Sequence, residues 1–166
     1  MTEATRLVVR AAGADDADLL AAWAVAMARE TEDRELDPAT VLAGVSAGIA
    51  DPAKARYFVA ARQAMAGGRE TLSEPVGTLM LTREWSDWRN GEWWWIQSVY
   101  VVPGRRRSGV FRELYRHVEA LARETPGVVG LRLYVERDNA DARRTYEALG
   151  MVDAGYDLLE AEYTAG

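Results

Sequence analysis

The chain has 166 residues, a formal net charge of −6 and a sequence pI near 4.9. That length suits a single domain, 1–166, with a sizeable core, and such acidity excludes a general nucleic-acid binder, which needs a broad basic face. With no cysteine, a disulfide framework, a thiol nucleophile and a cysteine metal cluster are excluded, and the single histidine, His117, argues against a His-rich metal site. His117 falls inside a helical pattern and is read as structural. No apolar run approaches the roughly 18 to 20 residues that span a bilayer, and MTEATRLVVR lacks a signal-peptide core. A cytoplasmic location without a membrane partner is expected.

RLVVR (6–10) reads as an opening strand. Asp15, Asp16 and Asp18 then lead a helix whose Leu19, Leu20, Trp23 and Met27 recur at three- and four-residue spacing. EDREL reads as a loop, and Asp37-Pro38 as the cap and first turn of a second helix through Val41, Leu42, Val45 and Ile49. RYFVAAR (56–62) and VGTLMLT (76–82) read as antiparallel strands around a turn at 66–75. The Asn-Gly of SDWRNG (86–91) signals a tight turn into EWWWIQSVYVV (92–102), the central strand, which Pro103 stops. Val110, Phe111, Leu114, Val118 and Leu121 share one helical face, and Pro126-Gly127 ends that helix. LRLYVE (131–136) alternates as a half-buried strand, 137–150 forms a helix that Gly150 stops, and YDLLEAEY (156–163) supplies a last strand. The order β-α-α-β-β-β-α-β-α-β implies an α/β domain with a mixed, largely antiparallel sheet flanked by helices.

One stretch carries the chemistry. VVPGRRRSGVFREL (101–114) gathers Arg105, Arg106, Arg107 and Arg112 around Ser108 and Gly109, between a strand and a helix. A helix start exposes unpaired N–H groups and about half a unit of positive charge, so it attracts anions. Gly109 lets a ligand approach the backbone, and the guanidinium groups add fixed charge where a pyrophosphate would sit at the amides of Arg107 to Arg112. The alternative is a merely solvated helix start. The spacing matches neither a triphosphate-binding P-loop nor a dinucleotide fingerprint.

VYVVPGRRRSGVFRELYRHVEAL resembles the acetyl-CoA-binding motif of the GNAT superfamily of N-acetyltransferases, a strand and proline followed by [Q/R]-x-x-G-x-[G/A]. The matching residues are Arg106, Arg107, Ser108, Gly109, Val110 and Phe111, with Phe111 standing where the family usually has Gly or Ala. LYVERDNADARRTYEALGM is similar to the family's later motif through Asn139, Ala142, Tyr146, Gly150 and Met151.

The resemblance implies a GNAT fold, acetyl-CoA as co-substrate without a metal, and direct transfer to the primary amine of a small molecule or peptide. Many relatives pair as homodimers. Val99 and Val101, with Tyr100 between them, would offer backbone groups to pantetheine, and Asn139 would hold the cofactor arm. Tyr146 would protonate the departing thiolate as general acid. Some family members carry a glutamate five residues before the motif asparagine; here Tyr134 stands there. Glu30, Glu32, Glu84 and Asp87 are then the candidate bases or amine-binding acids, each weighed against a solvated surface charge. Trp85, Trp88, Trp93, Trp94 and Trp95 crowd one hairpin, to fill the core or to wall an acceptor pocket. Phe111 and Tyr134 keep a second reading open, a non-catalytic acyl-CoA-binding module.

Overall fold

The computed structural model describes residues 4–66 and 69–163. The chain divides into two compact units, Met1–Leu133 and Tyr134–Gly166. The first holds β1 (Ala4–Ala11), α1 (Ala17–Glu32), α2 (Pro38–Ala50), β2 (Arg56–Ala66), β3 (Arg69–Ser86), β4 (Gly91–Val101), α3 (Val110–Glu124) and β5 (Val128–Leu133). One sheet carries the strands in the order β1-β2-β3-β4-β5. The first three pairings are antiparallel and β4–β5 is parallel. A parallel pair needs a crossover, and α3 supplies it. The sheet is therefore mixed and largely antiparallel, as the sequence pattern implies. The second unit contains α4 (Ala140–Ala148).

Local chemistry explains the helix starts. Asp37 accepts a hydrogen bond from the Thr40 amide at 2.9 Å, and Pro38 occupies the first turn. Asp16 precedes α1 and is buried; its carboxylate accepts two hydrogen bonds from Arg10 at 2.7 Å and one from the Gly13 amide at 2.8 Å. The Arg10 bonds hold the Asp16 carboxyl below the usual carboxylate range, against an opposing push from burial.

Alternation along the strands makes two apolar layers. On one side Leu20, Ala21 and Trp23 of α1 pack with Val45, Val59 and Tyr100. On the other, the neighbouring Phe58 meets His117 of α3 edge-on at 5.3 Å. Burial, and then the charge of Arg56, push the His117 pKa down, so the ring sits there neutral. Along α3 the buried positions are Val110, Leu114, Tyr115, Val118 and Ala122, while Phe111 and Leu121 are only half-buried. Gly77 in β3 lets α3 begin close to the sheet, because a Cβ there would lie 2.9 Å from both the Tyr100 carbonyl oxygen and Val110.

Three boundaries differ from the sequence reading. The turn expected at 66–75 is mostly strand: β2 and β3 pair as far as Ala66↔Arg69, and residues 67–68 lie outside those described. Pro75 sits beside a register shift that skips Val76, a place where a strand tolerates a missing N–H donor. β5 starts and ends three residues earlier than 131–136. No strand forms at 156–163, where Tyr156, Leu158, Leu159 and Tyr163 are exposed. Alternation supplies a strand's period but not the neighbour its amides must bond.

Removing the Asp16 carboxylate tests the α1 anchor. Asp16→Ala should lower the unfolding free energy by about 2–3 kcal/mol near neutral pH, read from urea melts. Because the folded pKa is depressed, this stabilisation is complete above the unfolded value of about 3.9. It fades as pH falls through the lower folded value, so the two proteins' melts should converge in acid.

Candidate active site

Strand β4 loses its β5 neighbour part-way along. The β4–β5 ladder ends at Ile96↔Leu133, whereas β4 runs on to Val101 with β3 still beside it. At the same point β4 carries an extra residue: Ile96 pairs with Leu81 and Ser98 with Met80, leaving Gln97 as a bulge. From Gln97 to Val101 the β5-side edge has no strand partner among the described residues. Val99, Tyr100 and Val101 lie on this stretch. The Tyr100 ring turns into the core against Trp23, 5.8 Å between centroids, and the Val101 carbonyl accepts from Arg106 Nε at 3.0 Å.

After β4, a short 3-10 turn (Pro103–Arg105) leads into a reversal in which Arg107 (φ 61°) and Gly109 (φ 86°) take left-handed conformations. Arg107 holds that conformation at a strain natural chains keep chiefly at functional sites. Ser108 Oγ donates to the Arg105 carbonyl at 2.5 Å and tightens the turn. Among the described residues no acceptor is found for the amides of Arg107, Ser108, Gly109, Val110 and Arg112. The first intrahelical bond is Glu113 N–H to Gly109 O, at 3.1 Å. Successive unsatisfied amides at a helix start form a concave cradle for an anion.

The four arginines divide in two. Arg106 reaches Glu30 at the end of α1 at 2.5 Å, and Arg105 reaches Glu74 at 3.2 Å. Glu74 also lies 3.7 Å from Arg62. These two guanidinium groups anchor the turn to the sheet and α1. Arg107 and Arg112 are exposed and have no acidic partner among the described residues, so they supply the charge an anion would meet. A cavity of about 300 Å³ beside the turn is lined by Thr5, Leu7, Arg62, Arg105, Ser108 and Val110. The half-buried Phe111 ring tilts against Tyr115, 6.1 Å between centroids.

The four candidate carboxylates have different surroundings. Glu30 holds Arg106 and accepts a hydrogen bond from the Tyr100 hydroxyl at 3.3 Å. Burial, and then the Glu30 charge, push the Tyr100 pKa up. Glu84 accepts from Trp95 Nε1 and from Arg132 Nη1. Glu32 and Asp87 are exposed. Of the hairpin indoles, Trp94 is core, Trp93 and Trp95 are half-buried, and Trp85 and Trp88 are exposed. The roles of Glu74 and Arg132 escape the sequence reading; Glu74 lies 31 residues from Arg105 in the chain, and no local pattern signals it.

In the second unit Asn139 is the N-cap of α4, its Oδ1 accepting from the Ala142 amide at 3.0 Å. Its NH₂ group remains the part suited to another partner. The helix stops at Gly150 (φ 89°), where Met151 N–H bonds to Tyr146 O at 3.0 Å and Gly150 N–H to Glu147 O at 2.9 Å. The Tyr-x-x-x-Gly-Met spacing is thus also the spacing of a helix stop. Burial pushes the Tyr146 phenol above its ordinary pKa, so it keeps its proton at neutral pH.

A mixed sheet whose central strand sheds one neighbour and then feeds an amide cradle defines an acyl-CoA-dependent transferase scaffold. A sequence model described as the Acetyltransferase (GNAT) family matches residues 18–151, and the chain belongs to that family. The family uses acyl-CoA and its membership implies acyltransferase activity. Among solved structures, a possible acetyltransferase from Clostridium difficile 630 is 38% identical, with a TM-score of 0.82 over 96% of this chain and 99% of that one. AAC(6')-Iy in complex with the bisubstrate analogue CoA-S-monomethyl-acetylneamine is 14% identical (TM-score 0.71; 96% and 99% covered) and shares the fold. So does the ribosomal-protein-alanine N-acetyltransferase from Brucella melitensis biovar Abortus 2308, at 16% identity (TM-score 0.67; 95% and 100% covered). No curated protein sequence matches the chain. No helix of the described residues is long and apolar enough to cross a membrane.

If Glu30 serves the turn rather than the amine, Glu30→Gln should cost about 1 kcal/mol of stability, as a partly exposed charged hydrogen bond does. Calorimetry should show weaker CoA binding, while KM for the acyl acceptor stays within about twofold, since only the cradle's anchor is lost.

Proposed function

We propose that this protein is an acetyl-CoA-dependent N-acetyltransferase that moves an acetyl group directly to a primary amine of a small molecule or peptide. The observation that carries this reading is the set of amides at Arg107, Ser108, Gly109, Val110 and Arg112 that find no acceptor among the described residues, at the end of the β4 edge that β5 leaves open. The cradle suits a pyrophosphate, with Arg106 and Arg105 holding the turn while Arg107 and Arg112 face the anion. The open edge at Val99–Val101 suits an amide-bearing arm that continues the ladder. The family match runs across Leu133 and Tyr134, and we take 1–166 as one functional domain acting in the cytoplasm. A homodimer fits the exposed Trp85 and Trp88.

In the transfer, the amine nitrogen bonds to the acetyl carbon, the carbon–sulfur bond breaks, and the nitrogen loses one proton while sulfur gains one. Tyr146 supplies the proton to sulfur; its raised pKa keeps it in the donor form across the neutral range. Asn139 holds the arm through its NH₂ group. The amine arrives neutral or yields its proton to water, because Glu30 is committed to Arg106 and Glu84 to Arg132.

Thiol release from acetyl-CoA with a panel of amines is the direct assay. Tyr146→Phe should lower kcat by roughly 10²- to 10⁴-fold when proton transfer limits the rate, with CoA affinity by calorimetry unchanged. A variant with wild-type kcat would remove Tyr146 as the acid. Failure of the wild type to bind CoA would remove the transferase reading itself.

A further inference from the structure

The sheet face at the end of the β4–β5 ladder carries a second built group. Thr82, Glu84, Trp93, Trp95, Gln97 and Arg132 lie together there: Gln97 Nε2 donates to Thr82 Oγ1 at 2.8 Å, and Trp95 pairs in register with both Thr82 and Arg132. Trp94 points to the opposite face, where Arg56 packs over its ring. The Arg132 guanidinium lies 4.1 Å from the Trp93 ring centroid and 6.0 Å from that of Trp95. Its Nη1 donates to both oxygens of Glu84, at 3.1 and 3.2 Å. The side chain is thus held on several sides, yet 29% of it stays open to solvent.

What remains of Arg132 is a donor edge. A guanidinium has five N–H donors in a planar fork, and Glu84 uses only Nη1. Among the described residues Nε and Nη2 have no acceptor, and together they present the two parallel donors that a carboxylate accepts. The charges packed on these indoles are Arg132, Glu84 and Arg89, whose guanidinium lies 5.2 Å from the Trp93 ring. They leave one positive charge in surplus on an otherwise acidic chain. Arg132 pairs with Trp95, two residues before the Gln97 bulge, so the fork's strand position is about 7 Å from the place where the edge opens.

We propose that Arg132 determines acceptor specificity by binding a carboxylate, so that the acceptor is an amino acid or short peptide whose amine reaches the open edge while its carboxylate docks on Nε and Nη2. This rests on the N-acetyltransferase reading. Glu84, expected from the sequence to meet the amine, becomes a positioning residue that fixes the guanidinium plane. Trp93 and Trp95 keep that guanidinium flat and partly dehydrated, which strengthens a charged hydrogen bond.

The test compares α- and ω-amino acids with their primary amides, which keep the amine and remove the negative charge. Binding to the CoA-loaded protein is followed by calorimetry for wild type, Arg132→Ala and Arg132→Lys, and thiol release is followed in parallel. Wild type should bind the carboxylate member of the best pair roughly 10- to 100-fold more tightly than its amide. Arg132→Ala should abolish that preference while leaving amide and CoA affinities within about twofold, and Arg132→Lys should restore only part of it because the fork is gone. A wild type that binds neither member, or both alike, overturns the proposal, as does a preference that survives in Arg132→Ala. Carboxylate preference without thiol release for any amine would instead defeat the transferase reading and leave the role of Arg132 standing.

Discussion

At Arg107, Ser108, Gly109, Val110 and Arg112 the main-chain N–H groups find no acceptor among the described residues. Unpaired N–H groups are usual in the first turn of a helix, and Arg107, Ser108, Gly109 and Arg112 are exposed, so an anion can reach this corner. The open amides need support. Arg106 ties the turn to Glu30 and to the Val101 carbonyl, and Arg105 ties it to Glu74. Gly77 removes the side chain that would hold α3 away from the sheet. The helix start is therefore rigid while its donors stay free, and preorganisation of that kind avoids reordering the backbone when an anion binds.

The second organising feature is the asymmetry of β4. One edge keeps β3 over nearly the whole strand, and the other loses β5 after Ile96. The bulge at Gln97 coincides with that loss. A single extra residue both releases the edge and changes which side chains face each layer, so Trp95 and Tyr100 lie on the face away from α3. The amide cradle and the Trp93–Trp95 face are thereby set along one strand, a few residues apart.

Charge is distributed to match. The acidic chain sets four arginines at the turn and Arg89 and Arg132 on the Trp93–Trp95 face, and pairs three of the six with carboxylates. Glu30, Glu74 and Glu84 each hold an arginine in a fixed position. A carboxylate that looks from the sequence like a base or an amine ligand is, in the fold, the partner that aims a guanidinium.

Much of this was legible beforehand where the signal is local. The Asp37 cap, the Gly109 and Gly150 turns, the amphipathic face of α3 and the two family motifs all arise from neighbours within a few residues, and each appears where the pattern places it. The 66–75 and 156–163 segments were misread because strand length and strand pairing depend on a partner that a local window does not contain. The sequence by itself determined the order of elements as far as α4, the amide-rich turn and the family. Only the tertiary structure decided which arginine anchors and which stays open, that Glu30 and Glu84 are already engaged, and that Arg132 stands at the end of the ladder. Those outcomes depend on pairs such as Glu30–Arg106 and Glu84–Arg132, 76 and 48 residues apart. Folding alone brings such pairs within bonding distance.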